Sequence, residues 1–279
     1  MTSIPISTDA PADASVVDSL QHPLAATIRS LLSPPPGSSI SRSILIDDED
    51  NILRALAAGI AVRAVFRAGD VALSERLRRL ATASHHTIAR RTCKKLFGND
   101  KISRVFAVAD RPRPQALDAL ARSGRDIVVL DGIGIAGNIG AVIRTSAAMA
   151  VGGVALVGTQ TVDPFDRRVI RASRGFVFAL PLVTTTPTEL VEFCATHELP
   201  LLVTTPVAAA SLDALSAPRP VAIVFGAERR GCSRQLEDAA TFHVTIPMST
   251  AVQSLNVAAA AAIALYSRFR FNRARLSHG

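Results

Sequence analysis

Residues 126–144 read Asp126-Ile127-Val128-Val129-Leu130-Asp131-Gly132-Ile133-Gly134-Ile135-Ala136-Gly137-Asn138-Ile139-Gly140-Ala141-Val142-Ile143-Arg144. Asp126–Leu130 is a short apolar run rich in branched residues, the mark of a strand buried on both faces. A glycine-rich turn follows, and Ile139–Met149 then carries helical apolar spacing. Outward from this strand–turn–helix unit, strands are expected at Gly153–Val157, Leu201–Thr204, Val221–Phe225 and His243–Ile246. Helices are expected at Arg167–Ser173, Pro187–His197, Arg234–Ala240 and from about Leu255 to Phe271, with Phe176–Pro181 extended. The alternation predicts an α/β domain over 125–279, built on a parallel sheet covered on both faces.

Upstream, a small α/β domain is expected over 39–112. Its strands are Ser43–Ile46, Val62–Phe66 and Val105–Ala109, and its helices Asp48–Ala58 and Ser74–Ala83. Arg111-Pro112-Arg113-Pro114 interrupts regular structure, and 113–124 reads as a linker. Residues 1–38 are rich in Ser, Pro, Ala and Asp and run out in Ser33-Pro34-Pro35-Pro36-Gly37. They read as a mostly disordered leader with one helical piece around 20–32.

Composition narrows the functional classes. Among 279 residues, 48% are hydrophobic and 19% charged, as in an ordinary globular protein. No apolar run approaches the roughly 20 residues that span a bilayer. The start, Met1-Thr2-Ser3-Ile4-Pro5, lacks the basic and apolar regions of a secretory signal. Cys93, Cys194 and Cys232 are far apart and form no CxxC pair, which predicts reduced thiols, a cytoplasmic setting and no metal site. The net charge of +8 is unevenly spread: residues 39–114 hold fifteen Lys/Arg against eight acids. Within 76–113 there are eleven, opposed only by Asp100 and Asp110. Such a cluster attracts a polyanion by counterion release; a solvated basic surface is the plain alternative.

Four segments offer chemistry. Gly132-Ile133-Gly134-Ile135-Ala136-Gly137 matches the dinucleotide pattern GxGxxG, which would make the chain an NAD-dependent dehydrogenase. The next strand ends Val157-Gly158-Thr159-Gln160, without the acid that holds a nicotinamide ribose, and the motif alone is weak. In the overlapping Asn138…Arg144, Asn138 is placed to cap the helix. Arg144 follows Gly140 by four residues, which aims its side chain back over the bare glycine toward the helix start. In Val221–Gly231 an apolar strand runs into a loop with two glycines, Gly226 and Gly231, and one acid, Glu228. Glycine lets a ligand approach the backbone closely. Last come Ile246-Pro247-Met248 and Gln253-Ser254-Leu255-Asn256, where Ser254 and Asn256 bracket a helix start with free N–H groups. Ala258–Ala262 give that helix little bulk, so another backbone can pack against it closely. Taken singly, each segment is an ordinary cap, strand end or core helix.

Together and in this order, the last three segments resemble the three motifs of the SpoU branch of the SPOUT methyltransferases. The resemblance spans about 125–271. It implies a SPOUT parallel-sheet domain tied in a deep trefoil knot, a feature that general connection rules would exclude. It also implies S-adenosylmethionine as cofactor and a homodimer whose active sites are completed across the interface. The chain further resembles the thiostrepton-resistance methyltransferases, through Asp166-Arg167-Arg168, the run Arg171–Pro181, Ala57-Ala58-Gly59 and Lys94-Lys95-Leu96-Phe97. Ala227 departs from the Ser that many relatives carry. That likeness implies a ribosomal-protein-like RNA-binding first domain and 2′-O-methylation of an adenosine in the GTPase-associated loop of 23S rRNA, which blocks thiopeptide antibiotics. A housekeeping SpoU enzyme acting on tRNA or another rRNA site is the nearest alternative.

By resemblance, Arg144 engages the ribose hydroxyl and a neighbouring phosphate. A guanidinium is a poor base, so activation and positioning are its expected roles. Asn138 and Glu228 hold Arg144 and the ribose, with Asn256 and Ser254 on the same rim, and Arg174 reaches substrate phosphate across the dimer interface, in the pocket of the other subunit. Gly226, Ile246, Met248, Ser254, Leu255 and Asn256 are the expected cofactor contacts. Arg42, Lys94, Lys95, Phe97, Lys101 and Arg104 are the expected contacts to ribosomal RNA.

Overall fold

The computed structural model describes residues 15–33, 41–80, 82–98, 103–158, 162–206, 208, 210–211, 220–249 and 251–276. They form two compact units. One runs to Arg113 and also takes in Phe165–Arg171; the other holds Pro114–Pro164 and the chain from Ala172 onward.

The first unit contains β1 (Ser15–Val17), α1 (Pro23–Leu32), β2 (Ser43–Asp47), α2 (Glu49–Ala57), β3 (Val62–Ala68), α3 (Glu75–Arg78), β4 (Ser84–Ile88), α4 (Arg90–Phe97) and β5 (Val105–Asp110). The sheet order is β1-β4-β3-β5-β2. β1 and β3 run parallel to β4, whereas β2 and β3 run antiparallel to β5. The expected leader is therefore too long: β1 and α1 belong to this unit. Val17, Ala25 and Ile28 are fully buried there, enough apolar surface to hold the segment down. His22 helps by capping α1, its ring nitrogen accepting from the Leu24 N–H at 3.2 Å. The polar sequence Ser84-His85-His86-Thr87-Ile88 gave no strand signal. Its ladder partners and the stacking of His86 on Phe66, 5.1 Å between ring centres, make it one.

The second unit contains α5 (Asp118–Ala121), β6 (Ile127–Asp131), α6 (Ala136–Ala148), β7 (Gly153–Val157), a 3-10 turn (Phe176–Phe178), β8 (Leu182–Thr185), α8 (Pro187–Thr196), β9 (Leu201–Thr204), β10 (Ala210–Ser211), β11 (Ala222–Gly226), α9 (Arg234–Asp238), β12 (Phe242–Thr245) and α10 (Val257–Leu276). The helix α7 (Arg167–Ala172), between β7 and β8, lies almost wholly in the first unit. All seven strands are parallel, in the order β10-β12-β9-β11-β6-β7-β8. β6 and β7 are buried throughout, as their apolar runs require. The chain leaves β6 toward β8 on one side and returns to build β9–β12 on the other. The loops beyond the carboxyl ends of β6, β9, β11 and β12 thus surround the point where the order reverses, the usual seat of a ligand.

Two expectations change here. The linker 113–124 contains α5, whose Leu120 is fully buried in the core. Phe176–Pro181 is not extended: Arg174 (φ 55°) and Gly175 (φ 75°) turn the chain, the 3-10 turn follows, and the strand begins only at Leu182.

α10 packs along α6, with Ala261 and Ala264 fully buried and Gly140 buried on the other helix. Its far end is pinned by Arg268, which donates to Asp126 through Nε (2.9 Å) and Nη2 (3.0 Å). Asp126 also accepts from the Val221 N–H at 3.0 Å and the Asn272 amide at 3.1 Å. One buried carboxylate thus ties α10 to the starts of β6 and β11. Removing one partner of such a pair costs about 3–5 kcal/mol.

Candidate active site

Three side chains from three loops meet in one network. Asn256 caps α10, its Oδ1 accepting from the Ala258 N–H at 3.0 Å. That bond fixes the opposite end of the amide as donor, and Nδ2 reaches Asn138 Oδ1 and Glu228 Oε1, each at 3.2 Å. Asn138 Nδ2 donates to the same Glu228 oxygen at 3.4 Å. Both amides therefore converge on Oε1, while Oε2 has no partner among the described residues. An amide can cap a helix with one end and donate with the other, which a carboxylate at this position could not do. Asn138 is not the helix cap that its position suggested. α6 starts two residues earlier with Ile135 at the capping position, so Asn138 lies in the first turn and its side chain goes to the network.

Glu228 is held out by a tight hairpin. Ala227 and Gly231 exchange two backbone bonds, 3.0 and 2.8 Å, so residues 228–230 form its tip. A β-carbon on Gly226 would lie 2.3 Å from the Gly231 carbonyl carbon, which makes glycine obligatory there.

On one side of this hairpin lies a cavity of about 310 Å³. Gly226, Ala227, Glu228, Arg229 and Gly231 line it from the hairpin, and Thr204, Thr205 and Pro206 from the end of β9. Ile246, Met248, Ser254, Leu255, Val257 and Ala260 close it. This volume is at the lower end of small-molecule sites, roughly 300–1,000 Å³. The lining joins apolar side chains with exposed loop backbone, which suits a flat heteroaromatic ring carrying a polar tail.

Five of the expected cofactor contacts, Gly226, Ile246, Met248, Ser254 and Leu255, line this cavity; Asn256 belongs to the amide–carboxylate network instead. Thr204–Pro206, Val257 and Ala260 line the cavity too without being among those expected, although the strand-end position of Thr204 was a usable signal. Gly132 borders a second, smaller cavity of about 230 Å³, whereas Gly134 and Gly137 face open space. Arg144 is exposed on α6, with no hydrogen bond or ion pair among the described residues, and stands outside the network. Arg174 is likewise exposed, at a left-handed backbone position.

The expected RNA contacts separate. Lys94 and Lys95 are exposed on α4. Arg42 and Arg104 are exposed at opposite ends of the β2–β5 pair, since Ser43 faces Asp110 and Asp47 faces Phe106. Lys101 lies outside the described residues. Phe97 is no surface contact: it is 5% exposed, edge-on to Phe106 and covered by the Arg167 guanidinium. Its helical spacing from Cys93 places both on the inner face. Among the described residues no group of His, Cys, Asp and Glu is arranged to hold a metal, and no helix is long and apolar enough to cross a membrane.

Comparison with known proteins matches residues 126–266 to the SpoU rRNA Methylase family and residues 14–123 to the N terminus of the thiostrepton-resistance methylases. The chain is 31% identical to the 23S rRNA (adenosine(1067)-2′-O)-methyltransferase of Streptomyces azureus, covering 92% of this chain and 98% of that protein. It is 34% identical to the Streptomyces laurentii enzyme of the same name, over 85% and 89% of the two chains. The crystal structure of the SpoU methyltransferase AviRb from Streptomyces viridochromogenes, in complex with AdoMet, superposes with a TM-score of 0.78 at 25% identity, covering 90% and 97% of the two chains.

Proposed function

We propose that this chain, which belongs to the SpoU rRNA methylase family, transfers a methyl group from S-adenosylmethionine to the ribose 2′-hydroxyl of an adenosine in 23S rRNA, and so protects ribosomes from thiopeptide antibiotics. The Asn138–Glu228–Asn256 network, which shares Glu228 with the 310 Å³ cavity, carries the reading. It places a carboxylate with one open oxygen at the wall of a site suited to the cofactor. Likeness over almost the whole chain to two 23S rRNA adenosine methyltransferases supports the substrate. The N-terminal match favours that target over tRNA or another rRNA site.

When bound, S-adenosylmethionine supplies an electrophilic methyl on a positively charged sulfur. The chain has to deliver an aligned hydroxyl and assist the loss of its proton. Ile246, Met248 and Leu255 offer apolar surface to the adenine, and Gly226 stands on the same cavity wall. Oε2 of Glu228 and the Asn138 amide hold the ribose. Arg144 stabilises the developing oxyanion and a neighbouring phosphate. Arg174 takes a second phosphate. The exposed lysines of α4 gather RNA onto the first unit, which acts as the RNA-binding domain in the cytoplasm.

The C-terminal part is a trefoil knot in this reading, consistent with β11 and β12 each inserting between earlier strands. A homodimer forms on the outward stripe of α10. Ala259, Ile263 and Tyr266 are exposed there, Ile263 by 42% and Tyr266 by 53%. Ala260 is unsuited to probing that interface, because it faces the cavity; Ile263→Arg is the apt change. The function is tested by offering 23S rRNA and tRNA transcripts with labelled S-adenosylmethionine. Label entering 23S rRNA supports the proposal, and label confined to tRNA overturns it.

A further inference from the structure

The chain between β7 and β8 leaves the catalytic sheet, and a buried ion pair receives it. Asp47, the last residue of β2, has a side chain 1% exposed and accepts from Arg167 Nε at 2.5 Å. The Arg167 side chain is 6% exposed, and its guanidinium carbon sits 4.7 Å from the centre of the Phe97 ring. Arg171 Nη1, one turn along α7, lies 3.6 Å from the same carboxylate oxygen. Two guanidiniums thus share one carboxylate, while Asp47 Oδ1 and Arg171 Nη1 are buried without a hydrogen-bond partner among the described residues. Arg168, on the outer face, instead folds back on Asp166 at 2.9 Å.

Such a cluster is a poor way to gain stability, because desolvating the charges offsets their attraction. What it does supply is a single seat: a one-residue slip of α7 in either direction would take at least one of the two guanidiniums away from Asp47. The consequence lies just downstream. α7 ends at Ala172, Ser173 is buried, and then Arg174 (φ 55°) and Gly175 (φ 75°) are both left-handed. This turn leaves Arg174 exposed while the residues on each side are buried. A non-glycine residue held left-handed persists only where its surroundings fix it.

We propose that Asp47 is a positioning residue for methyl transfer: by seating Arg167 and Arg171 it fixes the start of the turn that presents Arg174 to the RNA. The first unit then gathers substrate and also sets the geometry of an arginine that acts on it. The proposal rests on the reading above in which Arg174 contacts substrate phosphate.

The test is a double-mutant cycle of Asp47→Asn and Arg174→Ala, read as single-turnover methyl transfer at saturating RNA and cofactor, with cofactor affinity measured alongside. Each single variant should lose about tenfold or more in rate at unchanged cofactor affinity, the scale of a misplaced contact. The double variant should be no slower than Arg174→Ala alone, because residues acting through one another are not additive. Losses that multiply overturn the proposal and leave Asp47 a structural residue only; so does full activity of Asp47→Asn. If Arg174→Ala alone is fully active, the assignment of Arg174 fails, and the proposal with it. Should Asp47→Asn not fold, Asp47→Leu with Arg167→Met, which replaces both partners by apolar groups, takes its place in the cycle.

Discussion

Asn256 donates its amide to the Oδ1 of Asn138 at 3.2 Å, joining the start of α10 to the first turn of α6 across 118 positions of sequence. The same amide nitrogen reaches Glu228, so the cap of one helix holds the carboxylate of a separate hairpin. Asn256→Asp separates these duties. It keeps an oxygen for the Ala258 N–H but places a second carboxylate against Glu228. Single-turnover transfer should fall by about a hundredfold or more, the scale of losing a preorganised donor, while the melting temperature changes little. Asn256→Ala also loses the cap and should cost about 1 kcal/mol of stability. Wild-type rates in Asn256→Asp would dissolve the network's role.

Ala260 and Ala259 are adjacent on α10, yet one lines the cavity and the other faces outward. Ala260→Leu should weaken S-adenosylmethionine binding by about tenfold or more, as expected for overfilling a packed site by about 1–3 kcal/mol. Ala259→Leu should leave it unchanged. Calorimetric titration of both variants separates a cavity that holds the cofactor from one that does not.

Lys94 and Lys95 are exposed on α4 and neither is drawn into an ion pair among the described residues. Charge reversal at both should weaken rRNA binding and lower the slope of log affinity against log salt by about one unit per lost phosphate contact. Cofactor affinity should stay as it was. An unchanged slope would make this face merely solvated.

Asp47 has an unusual pH signature. Burial lifts its carboxyl to about 6, against the pull of Arg167 and Arg171 and with a small push from Asp48. The nearby Cys93 thiol is itself raised by burial to about 11 and is neutral in this range. The folded chain thus holds the Asp47 proton more tightly than the unfolded chain. Stability from this group falls as pH rises from the ordinary value of 3.8 to about 6. Asp70, Asp110 and Asp166, all lowered by arginine partners, act in the opposite sense and lose their contribution as pH falls. In denaturant titrations across this window, the stability of Asp47→Asn relative to wild type should rise with pH. A relative stability that falls instead would mean that pairing outweighs burial.

How far the sequence reads depends on how local the cause is. β6, β7, β9 and β11 are legible because strands covered on both faces are apolar throughout. β4 is not, since its polar residues become a strand only through neighbours in the sheet. Asn138 looked like a cap because its partners lie 90 and 118 residues away. Phe97, inside a basic run, looked like an RNA contact because the arginine that covers it arrives from position 167. Gly226, Glu228, Met248 and Leu255, which line the cavity, could be singled out because each stands near the end of a strand or the start of a helix. Thr204, at an equivalent strand end, carries no distinctive residue type. The seating of α7 on the first unit follows from no local pattern at all.

The central claim is that the methyl group goes to a ribose oxygen of 23S rRNA. Its most direct measurement is digestion of rRNA treated with wild-type protein and S-adenosylmethionine to nucleosides, followed by mass spectrometry of the methylated product, with Arg144→Ala as the paired control. The account predicts 2′-O-methyladenosine from the wild type and none from Arg144→Ala, whose cofactor affinity stays within a few fold. A methyl group on the base, or full 2′-O-methylation by Arg144→Ala, would contradict it.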